Sequence, residues 1–338
     1  MKPICYVLFS GGLDSRLALK IMQDQANLVF QANDNYKDRS SSPQQNKNSK
    51  NLTHTSKFKI IALTFKFPFG SGCCQPDCSF KFTQINEIEH KIIDCSKGKL
   101  FTEYLSIIKK PKFGHGSGIN PCIDCRIFIL NKTKEMLRKN SDDFIVTGEV
   151  LGERPMSQYR KAMLTIDQET KLEGKILRPL SAKLLEKTIP EQNGLIDTSK
   201  LFNISGRCRK PQMALANQYK ITYPHPAGGC LLCEKIFAER LHDLFKRLKL
   251  NDIKPRDISL LRIGRHFFFS DYKIIVGRNE KENILLEQLK DKNEKIFALN
   301  TLPGPSVLLQ GKIDEENIKK AKELLLKYSK HGDEIIET

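Results

Sequence analysis

The sequence predicts an α/β protein: a doubly wound parallel sheet followed by a small C-terminal α+β domain. Three observations carry this. Short apolar runs alternate with amphipathic helical stretches through the first half of the chain. The first run ends in a Ser-Gly-Gly turn that opens a helix. A Lys-Pro step at 254–255 sets off a C-terminal portion with its own strands and a closing helix.

In order along the chain, residues 4–9 are a continuous apolar run, as in a strand buried on both faces. Leu13, Leu17, Leu19 and Ile21 then continue at helical spacing. Residues 33–57 are rich in Asn, Ser, Gln and Lys without a hydrophobic period, which predicts a disordered surface insertion. Residues 60–65 and 91–94 read as the second and third strands, with a helix over 83–90 between them. Residues 144–147, before Gly148, make a fourth, preceded by a helix through Phe128, Leu130 and Met136. Ligands of such sheets bind beyond the carboxyl ends of the strands, where the first glycine turn lies. Past Gly174 the pattern loosens. A helix begins near Gln212, a basic helix covers about 236–250, and 267–269, 273–277 and 306–309 read as strands closed by a helix over about 315–328.

Lys and Arg number 56 against 39 Asp and Glu, a formal net charge of +17 over 338 residues. Such a balance favours a polyanionic partner, nucleic acid above all, through counterion release. No apolar run reaches the roughly 18 residues of a membrane span, and the opening run is too short for a signal peptide, so a cytoplasmic protein without a membrane partner is expected. Ten cysteines in a reducing compartment do not predict a disulfide framework; they are buried apolar groups, metal or cluster ligands, or catalytic thiols.

Ser10-Gly11-Gly12-Leu13-Asp14-Ser15 follows a strand and opens a helix, so its backbone N–H groups and hydroxyls can cradle a phosphate at the positive helix end. It lacks the Gly-Lys-Ser/Thr ending of the Walker loop. The stretch resembles the PP-loop of the N-type ATP pyrophosphatases, whose fold is adenine nucleotide alpha-hydrolase-like. That resemblance implies an enzyme that cleaves ATP between the α and β phosphates and transfers AMP to a carbonyl oxygen. It places ATP on Ser10, Gly11, Gly12, Asp14 and Ser15, sets Asp14 near Mg2+, and turns Thr64, Phe65, Thr147 and Gly148 towards adenine and ribose.

Cys122 and Cys125 form a C-x-x-C pair before a helix, where the helix dipole and Arg126 favour a thiolate; Cys230 and Cys233 form a second pair. The gap between the pairs far exceeds the roughly 15–20 residues of a zinc ribbon. With Pro111-Lys112-Phe113-Gly114, the run from Thr147 through Gly148, Glu149, Glu153 and Arg154 to Gln158, and Arg178-Pro179-Leu180-Ser181-Ala182-Lys183, they resemble tRNA thiouridine synthases of the PP-loop class. The likeness covers about residues 1–245 apart from the insertion. It implies Cys125 and Cys230 as catalytic beside Asp14, and Cys122, Cys125 and Cys230 as ligands of a [4Fe–4S] cluster whose open iron carries sulfur. The alternative is a persulfide on Cys230 that Cys125 resolves as a disulfide. Arg154, Arg178, Lys183, Arg207 and Lys210 would line an anionic site for ATP or the tRNA backbone. Cys233 is open between spare ligand, persulfide carrier and buried thiol, and Cys73, Cys74 and Cys78 between a zinc site, a sulfur acceptor and no role. Cys5, Cys95 and Cys208 read as structural.

The segment Ile274-Ile275-Val276-Gly277-Arg278-Asn279, with Pro303-Gly304-Pro305 downstream, resembles the small RNA-binding domain that ends NFACT proteins. The resemblance implies phosphate contacts from Arg262, Arg265 and Arg278, with Arg256 and Lys273 beside them. The expected organisation is a PP-loop catalytic domain over 1–180, a tRNA-binding and sulfur-site extension over 181–250, and an NFACT-R-like domain over 256–331. The expected function is a tRNA sulfurtransferase that adenylates O2 or O4 of a uridine and inserts sulfur. Its partners would be tRNA and a sulfur donor (sulfide, a cysteine desulfurase or a persulfide carrier), with a homodimer left open. The alternatives are a PP-loop enzyme with another acceptor, and a non-catalytic nucleotide- and RNA-binding protein with structural zinc.

Overall fold

The apolar runs of the first half become one parallel sheet in the computed structural model, which describes residues 1–27, 56–69, 76–225, 229–330 and 334–337. Most of the expected 33–57 insertion, with Cys73 and Cys74, lies outside the described residues, as does the side chain of Cys78. The chain divides into two units. One gathers Met1–Cys95, Lys110–Gly116 and Asn120–Leu231; the other gathers Ser96–Lys109, Ser117–Ile119 and Leu232–Thr338.

In chain order the elements are β1 (Ile4–Leu8), α1 (Leu13–Asn27), β2 (Lys59–Lys66), α2 (Pro76–Ile85), β3 (Glu89–Asp94), α3 (Gly98–Lys109), α4 (Cys122–Lys134), β4 (Phe144–Thr147), α5 (Arg160–Thr170), β5 (Ile176–Leu177), α6 (Ile189–Gln192) and α7 (Lys210–Gln218). There follow α8 (Lys235–Arg247), α9 (Pro255–Leu260), β6 (Arg265–Phe268), β7 (Tyr272–Val276), α10 (Glu280–Leu289), β8 (Lys295–Leu299), β9 (Val307–Gly311), α11 (Glu315–Tyr328) and β10 (Ile335–Glu337). The helix expected over 83–90 is displaced towards the N-terminus. Glu87 takes a left-handed φ of 53°, which turns the chain so that Glu89 and His90 already pair as strand.

The first sheet runs β3-β2-β1-β4-β5, every pair parallel. The central strands β1 and β4 are buried on both faces, which is why they read as unbroken apolar runs, whereas the edge strand β3 is largely exposed. Cys5 and Val7 of β1 face a core with Leu17 and Met22 of α1 and Leu215 of α7. Tyr6 and Leu8 face the opposite core, with Leu130 of α4 and Ile166 of α5. Period-two alternation thus places helices on both sides, the expected doubly wound arrangement.

Asp143 ties the start of β1 to the entry of β4. Its carboxylate accepts from Ile4 N at 2.8 Å and from Arg138 Nη2 at 2.6 Å. Burial raises its pKa, but the hydrogen bonds from Arg138, Ile4 and Ser141 outweigh this and bring it to about 2. Because the folded pKa lies below the unfolded one, the stabilisation is complete above pH about 4 and is lost as pH falls through about 2. Asp143→Asn should cost about 1–2 kcal/mol at neutral pH. Urea unfolding of wild type and variant should converge at the acid end.

The second unit is built on an antiparallel sheet ordered β10-β8-β9-β7-β6. Ile274, Val276, Val307 and Leu309 pack with Ala321, Leu324 and Leu325 of α11. Ile275 and Leu308 point the other way, to Leu260 of α9 and Leu286 of α10. Arg240 and Arg247 of α8 donate to Gly264 O and Phe269 O, one at each end of β6. The same unit takes in α3, whose Lys109 Nζ donates to Phe245 O of α8 at 3.2 Å. Among the described residues no helix is long and apolar enough to cross a membrane.

Candidate active site

In the strand order β3-β2-β1-β4-β5 the chain reverses direction of travel between β1 and β4, and open parallel sheets bind ligands at that switch point, beyond the strand ends. The two segments that leave these strands are Ser10 to Ser15 and Thr147 to Glu149. Gly11 takes a φ of 78°, a left-handed conformation that glycine adopts without strain. Ser15 Oγ donates to Gly12 O at 2.9 Å, and Ser10 Oγ donates to Ser15 Oγ at 3.2 Å. Arg16, 3% exposed, pins the loop from below: its Nε donates to Gly11 O at 2.7 Å while its guanidinium lies 4.7 Å over the Phe82 ring. Gly148 closes the other wall. A Cβ there would lie 2.7 Å from Asp14 C, Asp14 O and Ser15 N, so only glycine lets β4 approach the loop backbone so closely.

A carboxylate pair sits at this point. Arg209 Nη1 donates to Asp14 Oδ2 at 2.8 Å, and Arg209 Nη2 lies 2.9 Å from Glu153 Oε1. Gln212 Nε2 donates to Glu153 Oε2 at 3.1 Å. Burial raises the Asp14 pKa although Arg209 pulls against it. Burial and the Asp14 charge push Glu153 up to about 7, against Arg209, Arg154 and the Gln212 hydrogen bond. Asp14 Oδ1 is buried without a hydrogen-bond partner among the described residues. Sequence reasoning did not single out Glu153, Arg209 or Gln212 as site residues. Their motifs were visible, but no sequence spacing links Glu153 to residues 209–212.

Thr64 lies beside the loop, with its hydroxyl donating to Phe9 O at 2.7 Å and meeting His90 Nε2 at 2.8 Å. Phe65 stacks on Phe67 with ring centroids 6.3 Å apart. Thr147 Oγ1 donates to Glu149 Oε2 at 3.1 Å. Arg178 also meets Glu149, Nε to Oε2 at 3.0 Å, and grips Asp167 of α5 with two bonds of 2.9 and 2.7 Å. At 5% exposure and fully engaged by carboxylates, Arg178 is a structural cation and not part of a phosphate-facing surface.

Cys122 opens α4, and its Sγ accepts from Asn120 Nδ2 at 3.1 Å. Asp124, within the first turn, accepts from Lys112 N and Phe113 N at 2.8 and 3.1 Å and so holds the Pro111–Gly114 segment against the helix start. Cys125 is half-buried and Cys230 exposed. Among the described residues no group of three or more His, Cys, Asp or Glu is gathered to hold a metal ion, so the three expected cluster ligands are not brought together as one. Arg154, Arg207 and Lys210 are exposed, and Lys183 donates to Ser199 O at 2.8 Å.

In the second unit Arg262, Arg265 and Arg278 are exposed, Arg265 lying 4.9 Å over the Tyr328 ring and Arg278 paired with Glu282. Arg256 is committed to Glu294 at 2.6 Å. Lys273, 4% exposed, is turned inward and pushed down to about 8, chiefly by burial, which removes it from the expected phosphate contacts. No curated protein matches the chain. The family model described as the NFACT protein RNA binding domain matches residues 264–336. The antiparallel sheet with α10 and α11 thus carries the sequence signature of an NFACT-type RNA-binding domain.

Proposed function

We propose that the chain is an ATP-dependent tRNA-uridine sulfurtransferase of the PP-loop kind. The observation that carries the reading is the 10–15 loop at the β1/β4 switch point, walled by Gly148, in a chain that also bears an RNA-binding domain signature. The N-terminus of α1, 15 residues long, opens on this loop, so its free N–H groups and dipole favour a pyrophosphate there. Asp14 would hold the magnesium that screens the triphosphate, a fit supported by its buried and unpartnered Oδ1. Arg209, now bridging Asp14 and Glu153, is the cation placed to turn towards phosphate oxygens when a nucleotide enters.

A uridine extruded from the tRNA would present its carbonyl oxygen to the α phosphorus, displacing pyrophosphate. Sulfur then adds to the activated carbon, and AMP leaves with the oxygen. In the persulfide route a cysteine desulfurase or persulfide carrier hands its outer sulfur to the Cys230 thiolate and leaves as a thiolate. A persulfide on Cys230 attacks the carbon, and Cys125 then attacks the Cys230 sulfur, leaving thiouridine and a Cys125–Cys230 disulfide. The exposed Arg262, Arg265 and Arg278 would position the RNA without reading its sequence.

The test is nucleoside mass spectrometry of tRNA incubated anaerobically with protein, ATP and a cysteine desulfurase with its cysteine substrate, which supplies persulfide sulfur. Wild type should yield 2-thiouridine or 4-thiouridine only with ATP, and Cys125→Ala should lower the yield at least about 1,000-fold, as loss of a covalent catalytic group does. Pyrophosphate release without any thionucleoside would point instead to another adenylation acceptor.

A further inference from the structure

We propose that Glu149 is a positioning residue that couples the nucleotide crevice to the cysteine-bearing start of α4; the inference rests on the nucleotide reading above. Glu149 follows Thr147 and Gly148 at the end of β4 and is 3% exposed, too deep to touch a substrate. Its two oxygens face different elements. Oε2 accepts the Thr147 hydroxyl and Arg178 Nε, at 3.1 and 3.0 Å. Oε1 lies 3.2 Å from Arg126 Nε, and Arg126 directly follows Cys125. Burial disfavours the Glu149 charge, but Arg126, Arg178 and the hydrogen bonds from Arg178 and Thr147 more than compensate and keep its pKa low.

The two sides of this junction differ in stiffness. Arg178 is held by paired bonds to Asp167 and is buried, a geometry that fixes α5 to the Glu149 carboxylate. Among the described residues Arg126 makes a single ion pair, and its side chain is 32% exposed, so that side can yield. A ligand that moves Thr147 or Gly148 therefore pulls Glu149 against a rigid partner on one side and a compliant one on the other. The displacement reaches Arg126, and with it Cys125, while α5 stays put. Nucleotide binding would in this way set the orientation of the thiol before sulfur is needed.

The test uses the full chain, a non-hydrolysable ATP analogue with magnesium, and the rate of Cys125 alkylation by iodoacetamide, with fragment masses separating Cys125 from Cys122. Analogue binding is measured separately by calorimetry. In wild type, saturating analogue should change the Cys125 rate at least about 5-fold. Glu149→Gln should still bind the analogue, but the change should shrink to about 2-fold or less. Arg126→Gln, which leaves the Glu149–Arg178 contact in place, should do the same and serves if Glu149→Gln fails to fold. A wild-type rate indifferent to bound analogue, or either folded variant keeping the full change, overturns the coupling while leaving the nucleotide reading intact. A wild-type chain that binds no nucleotide removes both.

Discussion

Gly148→Ala should weaken ATP binding by about 10- to 100-fold while leaving the protein folded. The added methyl would stand 2.7 Å from three backbone atoms of Asp14 and Ser15. No rotamer change relieves a clash with backbone, so the β4 exit and the 10–15 loop must separate. Overpacking of this kind costs about 1–3 kcal/mol, and the strain falls on the segments that would grip the nucleotide. Gly229→Ala is the control, since a Cβ there meets nothing within 4 Å and its φ is unremarkable. Titration with a fluorescent ATP analogue reads the affinity, and thermal unfolding shows how much of the loss is global. Unchanged affinity in Gly148→Ala would mean that the crevice between β1 and β4 is not where ATP sits.

Arg178→Gln should lower folding stability by about 3–5 kcal/mol, because it leaves Glu149 and Asp167 buried without their shared cation. The pH dependence has a definite sign. Asp167 already has its pKa raised by burial and rises further once Arg178 is gone, while Glu149, held low by Arg126 and Arg178, is released upwards as well. Stability of the variant is then greatest where the carboxyls are protonated and falls as pH rises through the raised pKa values. The gap to wild type should be widest near pH 8 and narrow towards pH 4, read from urea midpoints. A variant that unfolds like wild type yet loses tRNA affinity would return Arg178 to the surface role that the resemblance implied.

Residues with a local signature were legible in the sequence. Strands buried on both faces show as apolar runs, so β1, β2 and β4 stand out, and α11 announces itself through a clean helical period. The 10–15 turn is legible because a glycine pair between an apolar run and a helical period marks a strand-to-helix connection, and Gly11 takes the left-handed φ that such a turn needs. Less was visible where pairing or distance decides. The strand at 295–299 is too short to separate from a helical fragment until β9 and β10 flank it. Arg209 and Glu153 are 56 positions apart, and only the return of the chain through Ser205 beside Leu151 brings them to Asp14. Arg178 read as a basic surface group because sequence shows charge, whereas burial and the carboxylates that engage it are set by the fold.

The place of α3 bears on how the chain is made. Phe101, Tyr104, Leu105 and Ile108 form its buried face. Their unit also holds α8, which the ribosome delivers more than 120 residues later. At the usual pace of synthesis that interval is roughly 6–25 s. Throughout it an amphipathic helix from the first half of the gene has no partner to cover it. The nascent chain therefore carries a sticky segment until the second unit emerges, and a truncated product ending before α8 would keep that face bare for good.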